Sequence, residues 1–180
     1  MRELKNIIFS KTLRIYLFSI KYLFKIKIYF QNPTVFYIVD IDNTIADTWP
    51  TLISGNNDFL RYENLPVFHK MIHFLKLKMQ DKKIFFLFLS ARNPIYFYVT
   101  KKWLKKNGFS SSNLILVPKA KDKLKIIKAI PNHKKIFIYD DLSFNHENGE
   151  VKFYSEIISE IKNMKHVNYF DYEYLKLYQN

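Results

Sequence analysis

From Val35 the chain runs through Phe36, Tyr37, Ile38 and Val39 without a polar break. It then places carboxylates at Asp40 and Asp42 and a hydroxyl at Thr44. An unbroken run of β-branched and aromatic residues has no face to give to water. It marks a strand covered on both sides, as in a parallel sheet between helices. Such sheets bind ligands beyond the carboxyl ends of their strands. Asp40 and Asp42, two apart, share a face if the strand continues. Adjacent carboxylates repel unless a cation or a shared proton offsets the charge. The pattern points to a magnesium ion, an aspartate nucleophile and a second carboxyl that moves protons.

The rest of the chain repeats the alternation that a parallel sheet requires. Ile84 to Leu89, Leu114 to Val117 and Lys135 to Tyr139 are further short apolar runs, and His166 to Phe170 reads as an edge strand. Helical patterns separate them. One carries Phe68, Met71, Ile72, Leu75 and Met79, a second opens at Asn93-Pro94 and ends at Gly108, and a third runs from about Lys121 to Ile130 before Pro131. Tyr154, Ile157, Ile158 and Ile161 mark a fourth. The expected fold is an α/β, three-layer Rossmann-like domain with a parallel sheet, spanning residues 33–180.

Residues 1–32 differ. Lys11, Arg14, Lys21 and Lys25 recur at helical spacing among Leu, Ile, Phe and Tyr, and Gln31-Asn32-Pro33 breaks the pattern. The stretch lacks both an uninterrupted apolar span and a signal-peptide cleavage site. A basic amphipathic helix of this kind suits a membrane interface. It equally suits packing on the domain or on a second copy of it.

Three strand ends carry polar groups suited to phosphate chemistry: Asp40 and Asp42, then Ser90-Ala91-Arg92, then Asp140-Asp141. Lys119, Lys121, Lys123 and Lys125 precede the last pair. These residues and their order resemble the haloacid dehalogenase superfamily of phosphotransferases. Asp40-Ile41-Asp42-Asn43-Thr44 is similar to its first motif, with Asn43 where many members have glycine. Ser90-Ala91-Arg92 resembles a variant second motif of polynucleotide 3′-phosphatase domains. Asp140-Asp141 resembles the fourth motif. The resemblance covers roughly residues 34 to 170. It implies that Asp40 attacks phosphorus to form an aspartyl-phosphate and that Asp42 protonates the leaving oxygen. Thr44 would hold the turn, and Ser90 would bind a phosphoryl oxygen with Ala91 and Arg92 beside it. Lys123, or else Lys121, would neutralise charge. Mg²⁺ would sit on Asp40, Asp140 and the main chain at Asp42, with Asp141 behind or through water. An acid at Asp42 favours phosphate esters over halides, because an alcohol leaves with a proton and a halide does not.

Other residues stay open. Arg92 binds substrate or pairs at the surface. Asn145, His146, Glu147 and Asn148 support the site or form a polar turn ending at Gly149. His69 and His73, four apart on a helix without partner acids, read as structural or exposed. Thr48 to Leu65 and Ser90 to Leu114 leave no room for a substantial cap, so the site is expected to be open to a large or membrane-proximal substrate.

The chain has no cysteine, which excludes a disulfide framework and thiolate zinc. Its net charge of +13 favours anionic partners, although a low-GC genome also enriches lysine. The leading expectation is a cytoplasmic, Mg²⁺-dependent phosphomonoester hydrolase, with peripheral attachment to an anionic membrane through residues 1–30. A nucleic-acid 3′-phosphatase and a non-catalytic membrane-associated binding protein of the same fold are the alternatives.

Overall fold

The computed structural model describes residues 2–52, 57–81, 83–147 and 150–179. Helix α1 (Arg2–Gln31) leads into β1 (Val35–Val39). Two short helices, α2 (Trp49–Leu52) and α3 (Asp58–Glu63), precede α4 (His69–Lys78) and β2 (Ile84–Ser90). A 3₁₀ turn (Pro94–Tyr96) opens α5 (Phe97–Lys106), followed by β3 (Asn113–Leu116) and a second 3₁₀ turn (Ala120–Asp122). Next come α6 (Lys123–Ile127), β4 (Lys135–Tyr139), β5 (Asn145–Glu147), β6 (Glu150–Lys152), α7 (Ser155–Lys162), β7 (Val167–Phe170) and α8 (Tyr172–Leu175).

Five strands pair in the order β3-β2-β1-β4-β7, all parallel. Period-two alternation splits the side chains between two cores. Phe36, Ile38, Leu87 and Ile138 face a layer from α1, α6 and α7, including Phe24, Ile28, Ile126, Ile127, Ile157 and Ile161. Tyr37, Val39, Phe86 and Phe88 face the other layer, which holds Met71, Leu75, Trp103, Leu104 and Leu175. Aromatic residues ladder across that second face: Tyr37 stacks on Phe137 at 4.9 Å and Tyr139 on Phe170 at 4.6 Å. The expected α/β architecture with a parallel sheet between helical layers is therefore present.

Several local readings need adjustment. The helix expected from about Lys121 to Ile130 is a 3₁₀ turn followed by five residues of α-helix, and tighter turns carry the chain on to Ile130. The segment after the paired acids is not a simple polar turn, because β5 and β6 pair as an antiparallel hairpin. Asn148 and Gly149 of that segment lie outside the described residues. The stretch from Thr48 to Leu65 carries α2 and α3. It is tied down where Phe59 and Tyr62 meet the ring of Tyr96 and where Trp103 Nε1 donates to Leu65 O.

Helix α1 packs on the domain through one stripe. Phe24 and Ile28 are buried there, Leu17 and Ile20 are half-buried, Phe24 meets Phe85, and Tyr16 OH donates to Leu116 O. Phe85 lies near the start of β2 and Leu116 ends β3, so α1 runs antiparallel to the strands. The turns before Tyr16 continue beyond the carboxyl edge of the sheet by roughly 20 Å at 1.5 Å per residue. The opposite stripe is open, with Phe18 at 73% and Tyr29 at 80% exposure. Among the described residues no helix is long and apolar enough to cross a membrane.

Candidate active site

Strand order puts the acids at the sheet's switch point. The chain leaves β1 for β2 and β3 on one side and returns to β4 and β7 on the other, and a crevice forms between strands that diverge in this way. Val39 is paired with Tyr139, and Asp40 N donates to Tyr139 O, so Asp40 and Asp140 emerge side by side.

Asp40, Asp140 and Asp141 each offer one carboxylate oxygen, all within 4.8 Å of one another, and all three residues are buried. Lys123 enters this cluster from the first turn of α6. Its Nζ lies 2.9 Å from Asp40 Oδ1 and 2.7 Å from Asp140 Oδ2, and the residue is 1% exposed. Lys121 is exposed and stays outside. Burial pulls the Lys123 pKa down, but the charges of Asp140 and Asp40 more than reverse this and keep the ammonium protonated. Burial pushes Asp40 up to about 7, with Asp140 and Asp42 adding to the rise and Lys123 opposing it. Asp140 is raised by burial against the pull of Lys123. Asp141 is raised well above its ordinary value by burial, then by Asp40 and Asp140.

One cation among three buried carboxylates leaves an electrostatic deficit. Among the described residues, Asp140 Oδ1 is buried with no side chain or main chain donating a hydrogen bond to it within normal geometry. A hard divalent ion takes a few carboxylates and keeps sites for water and phosphate, and this all-oxygen donor set fits it.

Asp42 is placed differently. Its carboxylate is not in the trio but turns to Arg92, which forks it: Nε to Oδ2 at 2.7 Å and Nη2 to Oδ1 at 2.7 Å. Ser90 Oγ donates to the same Oδ2 at 3.1 Å. Burial pushes the Asp42 carboxyl up, but the charge and fork of Arg92, with the Ser90 hydroxyl, outweigh it and hold the pKa below its ordinary value. The side chain remains 26% exposed. Arg92 is therefore not a surface ion pair. It is buried, donates to Thr100 Oγ1 at 3.2 Å, and lies 4.2 Å from the centre of the Tyr62 ring. Tyr62 and Thr100 are parts of the site that sequence reasoning passed over; the only signal was an arginine two residues after a strand-end serine.

Asn43 explains how the loop turns without glycine. It adopts φ 52, the left-handed region that asparagine tolerates better than most residues. Its Oδ1 accepts from Thr48 Oγ1 at 2.7 Å, and its carbonyl accepts from Gln179 Nε2 at 2.7 Å. Asn43 N donates to Ala46 O, while the amides of Ile45 and Ala46 both reach Ile41 O. Thr44 was expected to hold this turn, but its hydroxyl is buried without a hydrogen-bond partner among the described residues and the main chain closes the loop. His69 and His73 are exposed on α4, apart from the acids.

No protein-family model, curated protein or solved structure matches this chain. The fold and the site define its class: an α/β protein whose all-parallel five-stranded sheet carries a buried aspartate–lysine cluster at its switch point.

Proposed function

We propose that this protein is a Mg²⁺-dependent phosphomonoester hydrolase of the haloacid dehalogenase type, working through an aspartyl-phosphate on Asp40. The observation that carries this reading is the arrangement of Asp40, Asp140 and Asp141 around Lys123, with Asp42 held apart from them. A crowded buried carboxylate cluster is costly to fold around, which argues against a binding protein that has no use for it.

In this reading an Asp40 oxygen attacks phosphorus and the bond from phosphorus to the leaving oxygen breaks. Asp42 gives that oxygen its proton. A water then attacks the aspartyl-phosphate, passes a proton back to Asp42 and releases inorganic phosphate, regenerating Asp40. Lys123 neutralises charge between Asp40 and the phosphoryl group. Magnesium, held by Asp40, Asp140 and Asp141, would supply Lewis-acid stabilisation of phosphoryl oxygens. Arg92 acts as a positioning residue. Its fork keeps Asp42 ionised without substrate, and an arriving phosphate monoanion competes for Ser90 and Arg92 and gives Asp42 the proton that it then passes to the leaving oxygen.

The general-acid role is tested through the leaving group. Asp42→Asn should slow hydrolysis of alkyl phosphates by about 100-fold or more. It should slow p-nitrophenyl phosphate much less, because nitrophenolate leaves without help. Equal losses on both substrates would remove Asp42 from that role.

The raised carboxyl groups also set a pH signature. An exposed aspartate titrates near 4, whereas Asp40 is pushed up to about 7. Between those values the folded, metal-free protein holds protons that the unfolded chain has released, so stability falls as pH rises through that window. Metal binding needs the ionised acids. The rise in Tm on adding Mg²⁺ should therefore be larger at pH 8 than at pH 6 in thermal unfolding; a pH-independent rise would count against this site.

We further propose that the open stripe of α1 rests on an anionic membrane at the cytoplasmic face. Ile15, Phe18, Tyr22, Ile26 and Tyr29 lie opposite Phe24 and Ile28, flanked by exposed Arg14 and Lys25, and no acid occurs between Lys11 and Gln31. A second copy docking there would meet its own positive charge. The overhang of α1 past the site edge would bring the site close to the lipid. Vesicles containing phosphatidylglycerol should pull down the full chain in low salt, and the Phe18→Ser/Tyr22→Ser variant should stay in solution. Equal recovery of the two proteins would sink this attachment.

A further inference from the structure

Beside the acid cluster, on the same edge of the sheet, lies an open groove of about 660 Å³, within the usual range for small-molecule sites. Three segments build it. Ala91 follows Ser90 at the end of β2, Pro118 to Lys121 lead from β3 towards α6, and Lys152 to Ile157 cover the end of β6 and the start of α7.

The groove is basic. Among the described residues, Lys119, Lys121 and Lys152 line it against a single carboxylate, Glu156. Lys119 and Lys121 are exposed, and neither is ion-paired with a described residue. Lys152 lies 5.1 Å from the centre of the Tyr154 ring. Tyr154 gives the first turn of α7 no side-chain cap, so the amides of that turn add positive character to this wall. Phe153 presents an exposed aromatic surface beside the lysines.

The groove also joins the reacting centre through the chain. Ala91 is bonded to Ser90, whose hydroxyl touches Asp42. Lys121 stands two residues from Lys123, and so within about 7 Å of it between Cα atoms. Lys121 and Lys123 thus divide the work: the buried one meets the acids, and the exposed one faces the groove.

Resting on the phosphomonoesterase reading, we infer that the groove binds a second phosphate carried by the leaving group, making the preferred substrate a small bisphosphorylated sugar or nucleoside. Two exposed ammonium groups and an aromatic wall suit a phosphate attached to a ring. Lys119 and Lys121 are substrate-binding residues in this assignment, acting on affinity rather than on the chemical step.

The experiment compares paired substrates in Mg²⁺: fructose 1,6-bisphosphate against fructose 6-phosphate, and adenosine 3′,5′-bisphosphate against adenosine 3′-monophosphate. The wild type should prefer the bisphosphate of at least one pair by about 10-fold or more in kcat/KM, and which pair shows it separates sugar from nucleoside. Lys119→Ala/Lys121→Ala should erase most of that preference through KM, whereas Lys105→Ala/Lys106→Ala, equal in charge but on α5, should keep it. No preference in either pair, or a preference that survives the groove variant, overturns the assignment. Calorimetric binding of adenosine 3′,5′-bisphosphate and fructose 1,6-bisphosphate to the same proteins separates the two readings. If no phosphate ester is turned over but a bisphosphate binds and the groove variant loses it, the hydrolase reading fails and the groove stands. If esters are turned over but neither bisphosphate binds more tightly than its monophosphate, the groove fails alone.

Discussion

Asp40→Asn should lower turnover of every phosphate ester by at least ~10⁴-fold, the scale seen when a covalent nucleophile is removed. The amide cannot attack phosphorus and is a poor ligand for a hard cation. Loss of fold would not explain the result. Burial and the neighbouring acids push Asp40 up to about 7, so its charge is unfavourable in the metal-free fold at pH 8. The Tm of the metal-free variant at that pH should equal or exceed that of the wild type, and the Mg²⁺-induced rise should shrink. A beryllium fluoride complex, mimicking the aspartyl-phosphate, should form with Mg²⁺ in the wild type only. An Asp40→Asn protein with full activity on the best substrate would end the mechanism.

Lys123→Ala should be the most destabilising single change in the site. It leaves Asp40 and Asp140 buried without their cation, and breaking a buried pair from one side costs about 3–5 kcal/mol. Lys121→Ala, at an exposed position, should change stability by about 0.5 kcal/mol or less. Urea unfolding without metal measures both, and Mg²⁺ should restore part of the Lys123→Ala loss by supplying another positive charge. If the two variants unfold alike, Lys123 does not bear the load that its contacts imply.

Sequence reasoning reached the acids and named Ser90, Arg92 and Lys123 beside them, but it did not reach the contacts those residues make or the roles of Tyr62 and Thr100, for physical reasons. A buried strand ending in aspartate is a local pattern, so Asp40, Asp42, Asp140 and Asp141 were legible, as was the alternation that builds the sheet. The fork of Arg92 on Asp42 depends on the register between β1 and β2, which joins residues fifty positions apart. Which lysine turns inward depends on the 3₁₀ turn at Ala120–Asp122, because a tighter turn changes the phase of everything after it. Helix α1 carries apolar residues on either side of its basic stripe, so its sequence could not say which of them the domain would cover. Tyr62 belongs to a segment that read only as extra length, and its value comes from standing over Arg92 in space.

The amide of Gln179 that holds the Asn43 carbonyl has a consequence for biosynthesis. It spans 136 positions, and Tyr169 OH likewise holds the carbonyl of Asp140. Chains emerge from the ribosome amino end first. The inner strands β2, β1 and β4 can pair before Tyr169 and Gln179 have emerged, but the loop after the nucleophile is fastened only when Gln179 arrives. A nascent chain of this protein should therefore become protease-resistant in its sheet before it becomes active, and a chain that has emerged only to residue 165 would display paired inner strands and an idle site.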